Sequence, residues 1–291
     1  MSAASLDMAV LGVGLWAEGL GTWDEARDRW RGQADAEVAA TPSTRPQTTL
    51  LPPAERRRAP ATVLLALSVA EQACREAGLD PRDLRSVFTS AHGDLELTDY
   101  LCATLAESPE HLSPTKFHHS VHNAASGYWT IGVGNRQAST AVSAGQHSFA
   151  QGLLEAAAQV VCERAPVLLV AYDMPAPSTL VPITHSTALV GLALVLAPLS
   201  QGVPAGGTKP ATRLALRLQD EAVQGRVEAP QAGHPPDVAA LLPRSPMAVG
   251  LPLARALAAG DQNVGTELGF MLSPAQSLIV TLAGRNHDHR R

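Results

Sequence analysis

Hydrophobic residues along the chain fall into two spacings that alternate. Short apolar runs with β character occur at "MAVLGVGLW" (Met8–Trp16), "SVFTSAHGD" (Ser86–Asp94), "QASTAV" (Gln137–Val142) and "APVLLVAYD" (Ala165–Asp173). Between them lie stretches with helical spacing: "TWDEARDRW" (Thr22–Trp30), "APATVLLALSVAEQACREAGLD" (Ala59–Asp80), "LTDYLCATLAE" (Leu97–Glu107) and Gly145–Arg164. Apolar positions at i, i+3 and i+4 predict helices, and apolar runs bounded by turn residues predict strands. Thr22 is expected to cap the first helix and Gly78 to end the longest. "SPTKFHHSVHNAASGYWTIGVG" (Ser113–Gly134) reads as a loop leading into a helix, and Met8–Trp16 as a buried strand broken by glycines.

Strands and helices that alternate from Met8 to Asp173 imply α/β layers. After "HSTALVGLALVLAP" (His185–Pro198) the pattern weakens. "SQGVPAGGTKPAT" (Ser200–Thr212) reads as a linker, "RLALRL" (Arg213–Leu218) as a strand, "MAVGLPLARALAAG" (Met247–Gly260) as a helix and "AQSLIVTLAG" (Ala275–Gly284) as a last strand. Gln33–Arg58 is polar and rich in Pro and Thr, an irregular connection, and the tail "RNHDHRR" is expected to fray. The chain divides at residue 200 into an N-terminal domain, 1–200, and a segment, 201–291, that packs on it with a fold the pattern does not define.

Composition narrows the function. With 45% hydrophobic and 17% charged residues, the 291-residue chain can build a sizeable core. A formal net charge of -5 argues against nucleic acid as the main partner. The one dense basic run, "ERRR" (Glu55–Arg58), reads as a solvated helix approach or as a contact for an acidic carrier protein. No run reaches membrane-spanning length and no signal peptide is evident, so a cytoplasmic protein is expected. Cys74 and Cys162 fall in apolar helical patterns and are expected to be buried; Cys102 has no C-x-x-C partner.

Candidate chemistry is sparse. "GVGLWA" (Gly12–Ala17) matches the dinucleotide fingerprint, but the helix is expected only at Thr22, so a glycine-loosened turn is the better reading. His118 and His122 share one helical face, yet no carboxylate or H-E-x-x-H accompanies them; neither a metal nor any other cofactor is expected. The bend after "QASTAV" is different. A nucleophile placed at a helix start gains from the dipole and free amides there, but Val142 has no lone pair to use. Ser143 and His147 are spaced to share a helical face, although Ser143 fits an N-cap equally well. An acyl-transfer or decarboxylating enzyme using Ser143, Gln146 or His147 therefore stays open.

In its order of segments the chain resembles the β-ketoacyl synthases, condensing enzymes of the thiolase fold, over Met8–Pro198. The matching segments are "VLGVGLW", "RRRAPATVLLALSVAEQACREAGL", "SVFTSAHGD", "LSPTKFHHSVHNAASGYWTIGVG" and "STAVSAGQHSFAQGLLEA". The resemblance implies a layered αβα, thiolase-like fold, mainly the N-terminal half of a ketosynthase with a divergent C-terminal part. It puts Val142 in the place of the catalytic cysteine, and neither His185 nor His234 has the surroundings of the family's two later histidines. What it implies is a silent subunit, a chain length factor like those of aryl-polyene and xanthomonadin-type pigment clusters. Such a subunit pairs with an active β-ketoacyl synthase, and through that complex meets an acyl carrier protein. By the same resemblance, Phe117, Ser120, His122, Asn123, Tyr128, Val142, Gln146 and Phe149 form the tunnel end and interface, and Arg56, Arg57 and Arg58 the carrier contact. A homodimeric scaffold without a synthase partner is the structural alternative.

Overall fold

A computed structural model describes residues 5–33, 45–199, 212–220 and 234–284. The expected linker after Leu199, the tail beyond Gly284 and part of the Gln33–Arg58 connection lie outside the described residues. The elements run β1 (Ser5–Ala17), β2 (Gly21–Thr22), α1 (Trp23–Trp30), α2 (Pro53–Arg56), α3 (Ala61–Ala77), β3 (Arg85–Thr89), α4 (Leu95–Glu107), α5 (Pro114–His119) and α6 (Ala124–Val133). They continue with β4 (Ser139–Val142), α7 (Ser148–Glu163), β5 (Val167–Asp173), α8 (Val181–Thr184) and β6 (Val190–Pro198). The C-terminal part adds β7 (Thr212–Gln219), α9 (Pro236–Leu241), α10 (Leu251–Ala259), β8 (Glu267–Ser273) and β9 (Gln276–Ala283).

The strands make one mixed sheet in the order β4-β3-β5-β6-β1-β7-β9-β8, with β2 folded back on β1. β3 is parallel to both β4 and β5, and the remaining pairs are antiparallel. β5 and β6 are buried at every position, which explains their unbroken apolar runs. α3 and α6 pack on one face with Phe88, Leu168 and Val170; α7, α10 and α1 pack on the other with Leu153, Leu192 and Val280. The result is the layered αβα arrangement. The described residues after 211 belong to the same sheet and core, through β7, β9, β8 and α10.

Three expectations are corrected. β1 is not broken at its glycines. It runs through Gly12 and Gly14, because α3 lies directly on it: a Cβ on Gly14 would sit 1.9 Å from the Val69 carbonyl oxygen, and one on Gly12 2.1 Å from that of Ala73. The glycines allow closeness between helix and strand rather than a turn. Next, Cys162 is exposed in the last turn of α7, on its outward side, whereas Cys74 is buried and its thiol is pushed up to about 12 by that burial. Finally, the last expected strand is half of a hairpin, β8–β9, closed over Pro274–Ala275. Thr22 and Gly78 stand at the helix ends where the sequence puts them.

Candidate functional site

Parallel strands β4, β3 and β5 end on the same side of the sheet, and the loops beyond their carboxyl ends converge there, the usual place for a site in such sheets. Val142 is the last residue of β4, half-buried and packed against the core under α7. The ramp from β4 into α7 is longer than the sequence suggests. Gly145 takes φ +55°, a left-handed value, and a 3-10 turn over Gly145–His147 precedes the helix, which starts at Ser148 rather than Gly145. Val142 is therefore set well back from the first helical residue.

That geometry redistributes the polar side chains around the bend. Ser143 is not the helix cap: its hydroxyl donates to the Ala91 carbonyl at 3.2 Å, and His147 occupies the cap position. Among the described residues no hydrogen bond joins Ser143 to His147. Ser148, buried, holds the ramp by donating to Gly145 O and accepting from Ala144 N–H, each at 2.8 Å. Gln146 is exposed. Phe149 lies fully buried in the core, its ring 5.4 Å from that of Phe270.

The second expected wall segment makes an open groove of about 710 Å³. α6, α5 and the residues before α2 form it, with Leu50, Leu51, Val121 and Ile131 as apolar lining and Asn123 and Tyr128 among its polar members. Val121 and Ile131 on its wall are 47% and 83% exposed, and Phe117 on α5 is 58% exposed. Tyr128 OH lies 3.0 Å from His119 Nε2; partial burial and the neighbouring His118 both lower the His119 pKa, which favours its neutral ring. Ser120 donates to Phe117 O. The histidines of "FHHSVHN" separate: His118 and His119 line the groove, while His122 turns inward, Nε2 3.1 Å from Ser90 O. Of the eight expected wall and interface residues, Asn123 and Tyr128 thus line the groove, and Phe117, Ser120, His122, Val142, Gln146 and Phe149 do not.

The basic run splits as well. Arg56 donates to the Thr48 carbonyl, whereas Arg57 and Arg58 are exposed and Arg58 reaches the groove rim. His185 is exposed at the end of α8, and His234 is half-buried before α9.

One residue stands at the centre of the convergence with no role foreseen in the sequence. Asp173, at the end of β5 and 1% exposed, accepts from Ser90 Oγ (2.6 Å) and from Ala91 N–H (3.1 Å). Burial pushes its carboxyl from 3.8 up to about 7 against these hydrogen bonds, which favour the charged form. The visible signal is a charge ending an otherwise apolar run, "VLLVAYD". Among the described residues no helix is long and apolar enough to cross a membrane.

Comparison with known proteins gives this arrangement its place. The profile of the family "Beta-ketoacyl synthase, N-terminal domain" matches residues 28–241. No curated protein sequence matches the chain. Among solved structures, a ketosynthase (ApeO) in complex with its chain length factor (ApeC) from Xenorhabdus doucetiae contains a chain matched at TM-score 0.65 and 21% identity, covering 94% of this chain and 98% of that one. The ishigamide ketosynthase/chain length factor matches at TM-score 0.68 and 14% identity, over 96% and 99% of the two chains. A type II polyketide acyl-carrier protein in complex with its ketosynthase bound to the hexaketide (AntDE:AntF) matches at TM-score 0.68 and 10% identity, again over 96% and 99%. At these identities the likeness is one of fold, and that fold is the thiolase-like ketosynthase fold. Since the family profile spans most of the sequence, the chain belongs to the β-ketoacyl synthase N-terminal domain family.

Proposed function

We infer that this protein is a catalytically silent ketosynthase-like subunit, a chain length factor, which pairs with an active β-ketoacyl synthase and shapes the end of its acyl tunnel. The observation that carries this reading is Val142: an aliphatic group at the strand end where the family resemblance puts the nucleophile. A side chain without a lone pair cannot hold an acyl group, so the bend supplies apolar volume alone. The adjacent hydroxyl, on Ser143, is turned to the Ala91 carbonyl, and among the described residues no hydrogen bond joins it to a base.

Surface features support a partner. Among the described residues β4 is the terminal strand, with β3 as its one neighbour, and "STAV" carries no charge along that edge. Val121 and Ile131, exposed on the groove wall, give it the apolar surface that marks an interaction site. An active synthase seated there covers the groove, and side-chain volume at the Val142 strand end limits how deep the acyl chain reaches, because close-packed interiors do not admit overlap. Two of the solved structures named above pair a ketosynthase with a chain length factor, and the third an acyl-carrier protein with its ketosynthase. By the same reading the product is a polyene or fatty-acid-type chain, of the aryl-polyene or xanthomonadin pigment type, and Arg57 and Arg58 meet the carrier. By the same reading the described residues after 211, which share the sheet and core of residues 5–199, support the N-terminal domain.

Co-expression with the synthase tests the reading. A tag on this chain is expected to retain the synthase in a 1:1 complex that makes products of defined length. Recovery of this chain alone or as a homodimer, with product lengths unchanged by its deletion, overturns it.

A further inference from the structure

The loop between β3 and α4, Ser90–Gly93, is a hub. On its inner side it wraps Asp173, which takes the Ser90 hydroxyl and the Ala91 amide; the His92 amide also bonds to the carboxylate. Successive backbone N–H groups around one carboxylate make a small anion-binding nest. Ser90 Oγ in turn accepts from Gly93 N–H at 2.8 Å, so one hydroxyl closes the loop on itself and on β5.

On its outer side the same loop holds both segments of the candidate wall. Ser90 N–H donates to Val142 O at 3.4 Å, and Ala91 O accepts from Ser143 at 3.2 Å, which fixes the end of β4. Ser90 O faces His122 Nε2 at 3.1 Å, which fixes the turn between α5 and α6 beside the groove. Tyr172, next to Asp173, adds a bond from its hydroxyl to His122 O at 3.5 Å. One residue further, Asp94 caps α4 through Leu97 N–H and accepts from Thr62 on α3, so the loop cannot drift along the sheet without breaking that anchor.

We propose that Asp173 is a positioning residue for the tunnel end: through the Ser90–Gly93 loop it sets the relative placement of the Val142 strand end and the His122 turn, and so the product length, without lining the groove itself. This rests on the silent-subunit reading. Asp173 is buried at 1% exposure and lies outside the groove lining, so its influence passes through the Ser90–Gly93 loop that wraps it. The loop carbonyls that hold Ser143 and His122 belong to the same two residues whose donors the carboxylate takes.

Two readouts test the proposal on Asp173→Asn, Asp173→Ala and Ser90→Ala. In the isolated chain, hydrogen exchange at the Ala91, Gly93 and Ala144 amides is expected to rise about tenfold in Ser90→Ala, with α3 unchanged. Asp173→Asn, which keeps an acceptor oxygen, is expected to stay near wild type. In the complex with the synthase, Ser90→Ala and Asp173→Ala broaden the product lengths, and Asp173→Asn restores a single dominant length. Unchanged exchange at Ala144, or broadening in Asp173→Asn equal to that in Asp173→Ala, overturns the proposal. Should Asp173→Ala not fold, Ser90→Ala carries the test. Val142→Phe separates the two claims: a length shift there with none in Ser90→Ala removes the positioning role and leaves the silent-subunit reading. No length shift in either removes that reading, and the exchange result alone then decides the link between Asp173 and the bend.

Discussion

α3 and the array α4–α6 are both rich in apolar side chains, yet they use them in opposite ways. α3 buries 12 of its 17 residues against β1, β5 and β6. α4 buries only Leu95 and α5 buries nothing, while α6 turns Trp129 inward and leaves Ile131 83% exposed. Both regions lie within the family-matched part of the chain. One has found its partner within the molecule; the other presents apolar surface to solvent, where the proposed synthase partner would sit. An exposed apolar cluster beside an uncharged edge strand is a liability in a monomer and an asset in a complex.

The largest predicted effect breaks the first region. Gly14→Val puts a branched side chain where even a Cβ meets the Val69 carbonyl at 1.9 Å, so α3 has to lift off β1. Overpacking of this kind costs about 3 kcal/mol or more. Loss of a cooperative thermal transition, followed by circular dichroism, is the expected result.

Next in size is the buried Asp173 carboxyl beneath the loop that leads into α4. The unfolded chain releases the Asp173 proton near its ordinary 3.8, while the folded protein keeps it to about 7. Between those values the native state binds the extra proton, so this group's contribution to stability falls as pH rises. A tenfold difference in proton affinity between the two states is worth about 1.4 kcal/mol, so the fall amounts to a few kcal/mol at most. Denaturant titrations at pH 4.5 and pH 7.5 are expected to differ less for Asp173→Asn than for wild type.

Charge placed on the second region sharpens the contrast. Ile131→Asp leaves the melting temperature of the isolated chain nearly unchanged, because the side chain touches mainly solvent. It weakens the synthase complex about tenfold or more, since an interface core leaves a carboxylate unpaired. The smallest effect belongs to the rim: Arg57→Glu with Arg58→Glu lowers carrier affinity a few-fold at low salt, and added salt erases the difference.

Much of this architecture is legible in the sequence, for reasons that vary by element. α3 shows helical spacing and its Gly78 end, and β5 and β6 show the unbroken apolar runs of strands buried on both faces. The glycines of β1 mislead because a sequence shows a glycine's permissiveness but not the helix backbone that demands it. β8 is hidden because Pro274 reads as a break, whereas here it sits in the hairpin turn. At the site, Val142 and the groove residues Asn123 and Tyr128 follow from segment order. Asp173 does not: a single acid after an apolar run looks like the strand reaching solvent, and only the loop from β3 folding over it shows otherwise. Ser143 fails as a cap because Gly145 delays the helix to Ser148.

The most direct test of the central claim reads product length from the co-purified synthase complex with Val142→Ala, wild type and Val142→Phe side by side. The account predicts longer products with alanine and shorter ones with phenylalanine, at equal complex yield. Identical product lengths from all three complexes contradict it.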